Sequence, residues 1–192
     1  MSRGQAETLI PMVADAMSAA GLVFDALDAI AVTMGPGAFT GVRIGLSTAQ
    51  SLALAADKPL VGVTTLEAVF AAQGQASAPF LVALDTKRTD IYLQLFDSDG
   101  EALTEPLAVE EDKISMAVSM HGIGVVGDAA DRAARALNNA GIAAKRHCGS
   151  MLPDAYWIAR IAAGRFSAGD LEPVEPIYLR APDVGPLPKP IA

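Results

Sequence analysis

Cysteine is nearly absent from this 192-residue chain, where Cys148 stands alone. One cysteine excludes an internal disulfide and fits a reducing compartment, so a cytoplasmic protein is expected. Histidine is almost as scarce. His121 and His147 fall outside any H-E-x-x-H or H-x-x-x-H spacing, and no Cys/His cluster accompanies them, so no metal site is expected. Long apolar runs are missing too. Hydrophobic content is 52%, much of it alanine, yet no uninterrupted stretch reaches the roughly 18 residues that span a bilayer. No membrane partner is expected, and Met1–Gln5 lead into polar–apolar alternation without the apolar core of a signal peptide. Basic residues are the last deficit: 14 Lys and Arg face 22 Asp and Glu, for a net charge of −8. Holding a nucleic-acid backbone needs clustered Lys and Arg. Any nucleic acid is therefore expected to be touched by another protein.

What is there reads as a globular α/β chain. Gln5–Ala20 is an amphipathic helix with Leu9, Val13, Met17 and Ala20 on one face; Ser2 and Gln5 stand at capping-box spacing, and Gly21 supplies the stop. A strand at about 29–33, a glycine loop, a helix from about Gly41 to Ala56, a strand at 60–63 and a helix capped by Thr65 follow. This alternation is the grammar of a parallel sheet. Residues 73–79 are small, polar and turn-rich and mark a boundary between a first unit (1–77) and a second (78–180), with a Pro-rich extended tail at 181–192. In the second unit, strands at 80–84 and 91–96 form a hairpin, and a third short strand near Ala102–Leu103 completes a meander. A helix at 111–119, a strand at 123–126, a helix at 129–140, a weak strand at 143–146 and a helix at 154–164 follow. Residues 91–96 suit a strand, but their alternation leaves the buried face open. Two strands are marginal support for three helices, so the first unit reads as incomplete, and an apolar edge beside Ala29–Val32 is an aggregation hazard.

The segment Gly35-Pro36-Gly37-Ala38-Phe39-Thr40-Gly41-Val42-Arg43-Ile44-Gly45 carries the most information. Strand, glycine loop and helix start together present backbone N–H groups to an anion or to a close partner. Gly35, Pro36, Gly37, Thr40 and Gly41 are the candidate anion- or nucleotide-facing residues. The segment lacks the Gly-Lys-Ser/Thr of a Walker A loop, and G-x-G-x-x-x-G is one residue longer than the dinucleotide fingerprint. A tight turn whose glycines only relieve backbone strain is the other reading. Behind the loop, Gly41, Gly45, Ala49 and Ala53 recur every four residues, which places small side chains along one helix face. Such a stripe admits a facing helix or packs on the chain's own sheet.

Nothing else forms a catalytic constellation. Cys148 beside His147 lacks an orienting third group, Glu110-Glu111-Asp112 suits a helix N-terminus, and Asp85 and Arg88 suit turn chemistry. Ser47 and Ser51 are helical and not on a nucleophile elbow.

The stretches Gly4–Pro11, Gly35–Gly45 and Pro59–Leu66, then Ala83-Leu84-Asp85 with Ile91-Tyr92, and Pro176-Ile177-Tyr178-Leu179-Arg180, resemble the TsaB (YeaZ) family over essentially the whole chain. The resemblance implies an actin-like (ASKHA, ribonuclease H-like) α/β fold of two subdomains. It further implies a non-catalytic scaffold or activator subunit in the formation of N6-threonylcarbamoyladenosine at position 37 of tRNAs. The implied partners are TsaD, which carries the metal and transfers the threonylcarbamoyl group, and TsaE, an ATPase, with a homodimer as the other pairing. tRNA would be met only indirectly, and ATP or ADP would belong to the assembled complex. Family pairing through the first two helices puts Leu9, Val13, Met17, Arg43, Gly45, Ala49 and Ala53 at the interface. An actin-like-fold ATPase and a glycopeptidase-like metallohydrolase are the enzyme alternatives. Family members begin with a β-meander containing an Asp-Thr-Ser-like segment, and this chain starts after it, so a truncated product or a misplaced start is expected.

Overall fold

The computed structural model describes residues 5–74, 78–147, 149 and 151–180; Ser2, Cys148 and the 181–192 tail lie outside them. Helix α1 (Gln5–Ala20) leads through a 3₁₀ turn to β1 (Ile30–Thr33), α2 (Phe39–Ala56), β2 (Leu60–Val63) and α3 (Thr65–Ala71). Gly21, at φ +65°, stops α1: its N–H donates to Ser18 C=O at 3.1 Å and the Leu22 N–H to Met17 C=O at 3.0 Å. β1 and β2 pair in parallel, Ile30 opposite Leu60.

The crossover helix α2 begins at Phe39, two residues before the expected Gly41, because Ala38 already stands in the extended conformation of a cap. It ends at Asp57, a left-handed residue whose N–H meets the Ala53 and Leu54 carbonyls. The cap of α3 also differs from expectation. Thr64, not Thr65, holds it: Thr64 Oγ1 accepts from the Glu67 N–H at 3.0 Å, and the Thr64 N–H donates to Glu67 Oε2 at 2.7 Å. The Thr-x-x-Glu spacing selects Thr64, since only there can both bonds close.

The second sheet has five strands in the order β5-β4-β3-β6-β7. β3 (Phe80–Asp85) pairs antiparallel with β4 (Asp90–Phe96) and parallel with β6 (Ile123–Val126). β4 pairs with β5 (Leu107–Glu110), and β6 with β7 (Ala144–Arg146). The expected third strand at Ala102–Leu103 is corrected here. Ala102 makes only an isolated bridge to Phe96, and the meander is completed by Leu107–Glu110. The expected helix at 111–119 is a 3₁₀ turn followed by the short α4 (Ile114–Ala117).

Both faces of this sheet are covered, which explains why the alternation in β4 did not disclose a buried side. Leu81, Ile91, Leu93 and Val125 pack under α5 (Ala130–Asn139) with Ala133 and Leu137. On the other face Phe80, Val82, Leu84, Phe96 and Val126 meet Leu66 and Val69 of α3. The smaller sheet is likewise layered. α2 covers one face through Leu46 and Ala49 against Val32. On the other face α6 (Ala155–Ala168) sets Ile158, Ile161 and Ala162 against Ala31, Val61 and Val63. So α3 and α6 each pack on the sheet of the other unit.

Candidate partner interface and glycine loop

At the end of β1 the backbone turns sharply. Gly35 is buried at φ +100°, and a Cβ there would stand 3.2 Å from the Ile177 carbonyl oxygen. Both facts demand glycine. The Gly35 carbonyl accepts from the Thr65 N–H at 2.8 Å, which ties the loop to the start of α3. Pro36 is buried behind a cis peptide, whereas Gly37 and Thr40 are exposed and Gly41 is half-buried. Ala38 offers no capping side chain to α2. The loop therefore brings Gly37 and Thr40 to the surface and puts Gly35 and Pro36 into the interior.

One turn along α2, Arg43 lies over the Phe39 ring with its guanidinium carbon 3.8 Å from the centroid. Its Nε donates to Tyr178 Oη at 2.8 Å, and the Phe39 and Tyr178 rings stand 5.3 Å apart. Cation–π contact and hydrogen bond together hold three flexible groups in one arrangement at the surface.

The stripe of small residues divides. Ala49 and Ala53 are each 7% exposed, and Ala49 packs with Val32 and Leu46 on the chain's own sheet. Gly41 and Gly45 are half-buried, and a Cβ on Gly45 would meet nothing within 4 Å. A four-residue step advances about 40° around an α-helix, so three steps carry the stripe through about 120°. Its two ends cannot face the same neighbour. Helix α1 is the opposite of buried: none of residues 6–20 is buried, Leu9, Val13 and Met17 are half-buried, and Ile10 and Met12 are exposed.

A second polar centre forms where β3 turns into β4. Lys87 Nζ bridges Asp85 Oδ2 at 3.0 Å and Asp128 Oδ2 at 3.3 Å, and Arg132 reaches Asp85 Oδ1 at 3.3 Å and Glu111 Oε2 at 2.9 Å. Partial burial pushes the Asp85 carboxyl up, but hydrogen bonds from the Lys87 side chain and backbone, with the Lys87 and Arg132 charges, hold it below the usual range. Hydrogen bonds to Asp85 and Asp128 in turn raise the Lys87 ammonium. Charges here are spent on one another. His147 packs edge-on to Phe80 and His121 accepts from the Ala143 N–H. Among the described residues no group of three or more His, Cys, Asp or Glu could hold a metal ion, and no helix is long and apolar enough to cross a membrane.

Known proteins match this architecture. The family model for TsaD, tRNA N6-adenosine threonylcarbamoyltransferase, matches residues 1–151. The tRNA threonylcarbamoyladenosine biosynthesis protein TsaB of Escherichia coli K12 is 30% identical over 190 residues, which cover 93% of this chain and 81% of that protein. The chain belongs to the TsaB (YeaZ) family. YeaZ from Pseudomonas aeruginosa superposes with a TM-score of 0.71 at 26% identity, over 90% of this chain and 84% of that one. A second P. aeruginosa structure, described as similar to the peptidase YeaZ, gives 0.75 at 26% identity over 94% and 86%. The transferase of Novosphingobium aromaticivorans is 53% identical over 66 residues, 34% of this chain. Against such transferases the TsaB-family chain spans about a fifth of their length, 19% and 22% for two of them. The actin-like two-subdomain fold follows from these matches.

Three residues were given no role on sequence grounds: Tyr178, which accepts from Arg43, and Arg180 and Asp90, which form an ion pair at 3.0 Å. The available signals were the i, i+4 spacing of Phe39 and Arg43 and the pairing of an aromatic and a cation in Ile177–Arg180.

Proposed function

We propose that this chain is a non-catalytic accessory subunit in the formation of N6-threonylcarbamoyladenosine on tRNA, pairing with TsaD through α1 and the adjoining side of α2. The likeness to TsaB over 93% of this chain supports the pathway. The observation that carries the pairing is α1 itself, a 16-residue helix with no buried residue from 6 to 20 and with Ile10 and Met12 outward. A helix of such composition gains its stability from a tertiary partner. Leu9, Val13, Met17, Arg43 and Gly45 form the proposed contact, while Ala49 serves the internal sheet and Ala53 is buried. TsaE joins the assembly, tRNA is held by other subunits, and ATP or ADP is bound by the complex and not by this chain alone. A homodimer through the same helices is the state without TsaD.

Co-purification with TsaD tests the pairing. Gly45→Arg and Met12→Asp change positions with open surroundings, so the fold is retained and the complex is lost. Retention of the complex by both variants overturns the interface. Ala49→Glu is not a clean test, because it buries a charge against Val32. Titration calorimetry of the isolated chain with ATP should show no heat of binding, and saturable binding would return nucleotide to the Gly35–Gly41 loop.

A further inference from the structure

Between α6 and the last described residue, Arg180, no helix or strand forms, yet residues 173–180 are fastened at four points. Val174 packs beside Val32, Leu46 and Ala49. The Ile177 N–H donates to Met34 C=O at 2.9 Å, directly before the buried Gly35. Tyr178 takes the Arg43 bond and stacks near Phe39. These three points lie on the smaller sheet, its loop and α2. The fourth lies on the larger sheet: Arg180 Nη1 donates to Asp90 Oδ1 at 3.0 Å, at the first residue of β4.

Asp90 is only 8% exposed, and a carboxylate that deep requires a charged partner. Thr86 Oγ1 donates to the same oxygen at 2.7 Å. Three residue steps separate Ile177 from Arg180, a reach of at most about 10 Å when fully extended. Fixing both ends therefore sets an upper limit on how far Met34 can move from Asp90, the backbone span plus the length of the Arg180 side chain.

We propose that residues 173–180 are a clasp that locks the glycine loop and the N-terminus of α2 against the five-stranded sheet. The α3 contact joins the same units by apolar packing, which specifies area and not angle. Arg165 of α6 adds directional bonds to the Gly62 carbonyl and to Glu67, and the clasp adds a hydrogen bond, a ring–cation stack and an ion pair beside the glycine loop and the start of β4.

Hydrogen exchange on the full chain tests this with two variants. Arg180→Met removes the ion pair, and insertion of two glycines between Tyr178 and Leu179 keeps every contacting side chain but slackens the span. Both should raise amide exchange across residues 34–43 at least tenfold, with β3 and β6 unchanged. Changes confined to 86–92 and 178–180 would overturn the clasp, as would an equal rise in β3 and β6. Where Arg180→Met unfolds the chain through the stranded carboxylate, Asp90→Asn/Arg180→Met removes that charge and its exchange pattern decides.

Discussion

The two sheets of this molecule are built on one unit used twice and supported differently. β1-α2-β2 and β6-α5-β7 are both parallel pairs joined by a crossover helix. Each first strand runs into a glycine at positive φ, Gly35 at +100° and Gly127 at +104°. The difference lies at the other edge of that strand. β6 is flanked by β3 and β7, whereas among the described residues β1 has β2 as its one strand neighbour. Val125 of β6 is 0% exposed and Val32 of β1 is 8%. The same local grammar yields a deep core in one place and a shallow one in the other, because burial of a strand depends on what flanks it.

Paired helix substitutions give the largest effects. Leu137 of α5 is 0% exposed and Leu46 of α2 is 4%, so Leu137→Ala should cost about 4–5 kcal/mol and Leu46→Ala roughly 2–3 kcal/mol. Urea unfolding measures both, and equal costs would break the comparison. Next comes Glu67, which serves the cap of α3 and also accepts from Arg165 Nη2 at 2.6 Å. Glu67→Ala should lose roughly 2 kcal/mol and Thr64→Ala about 1 kcal/mol, read from the same curves. A matching loss in both would remove any weight from the Arg165 contact. Native-state hydrogen exchange then sharpens the contrast. Amides of β1 and β2 should open at least tenfold more readily than those of β3 and β6, a gap of about 1.4 kcal/mol.

The smallest effect is the pH response of the hairpin tip. The Asp85 carboxyl is depressed in the folded state, so its pairing contributes above the unfolded value of about 3.9 and is lost as pH falls through the folded one. Asp85→Asn should flatten the stability profile below about pH 4, as thermal melts would show. Lys87 is raised, so its contribution is present below about pH 10.4 and fades as pH rises through the folded value.

Much of this was readable in one dimension. α1, β1, β2, β6 and the hairpin strands follow from period and punctuation, because their apolar residues and flanking Gly and Pro act within a few positions. Thr64 as cap was readable too, through Glu67 three residues on, although Thr65 was the expected residue. β5 was not, because Leu107–Glu110 is a four-residue edge strand that, among the described residues, pairs with β4 alone. The small-residue stripe left two neighbours open, and the structure divides it for a geometric reason, since four-residue spacing winds around the helix. Tyr178 and Arg180 were invisible as site residues: their partners Arg43 and Asp90 lie 135 and 90 positions away.

By itself the sequence determined the α/β alternation, the acidic balance and the family likeness, all of which depend on residue type and near neighbours. Only the tertiary structure decided which face of α2 is spent on its own sheet, that α3 and α6 cross between units, and that the last described residues clasp the two sheets. Those outcomes depend on distances between positions far apart in the chain, and short-range pattern carries no record of them.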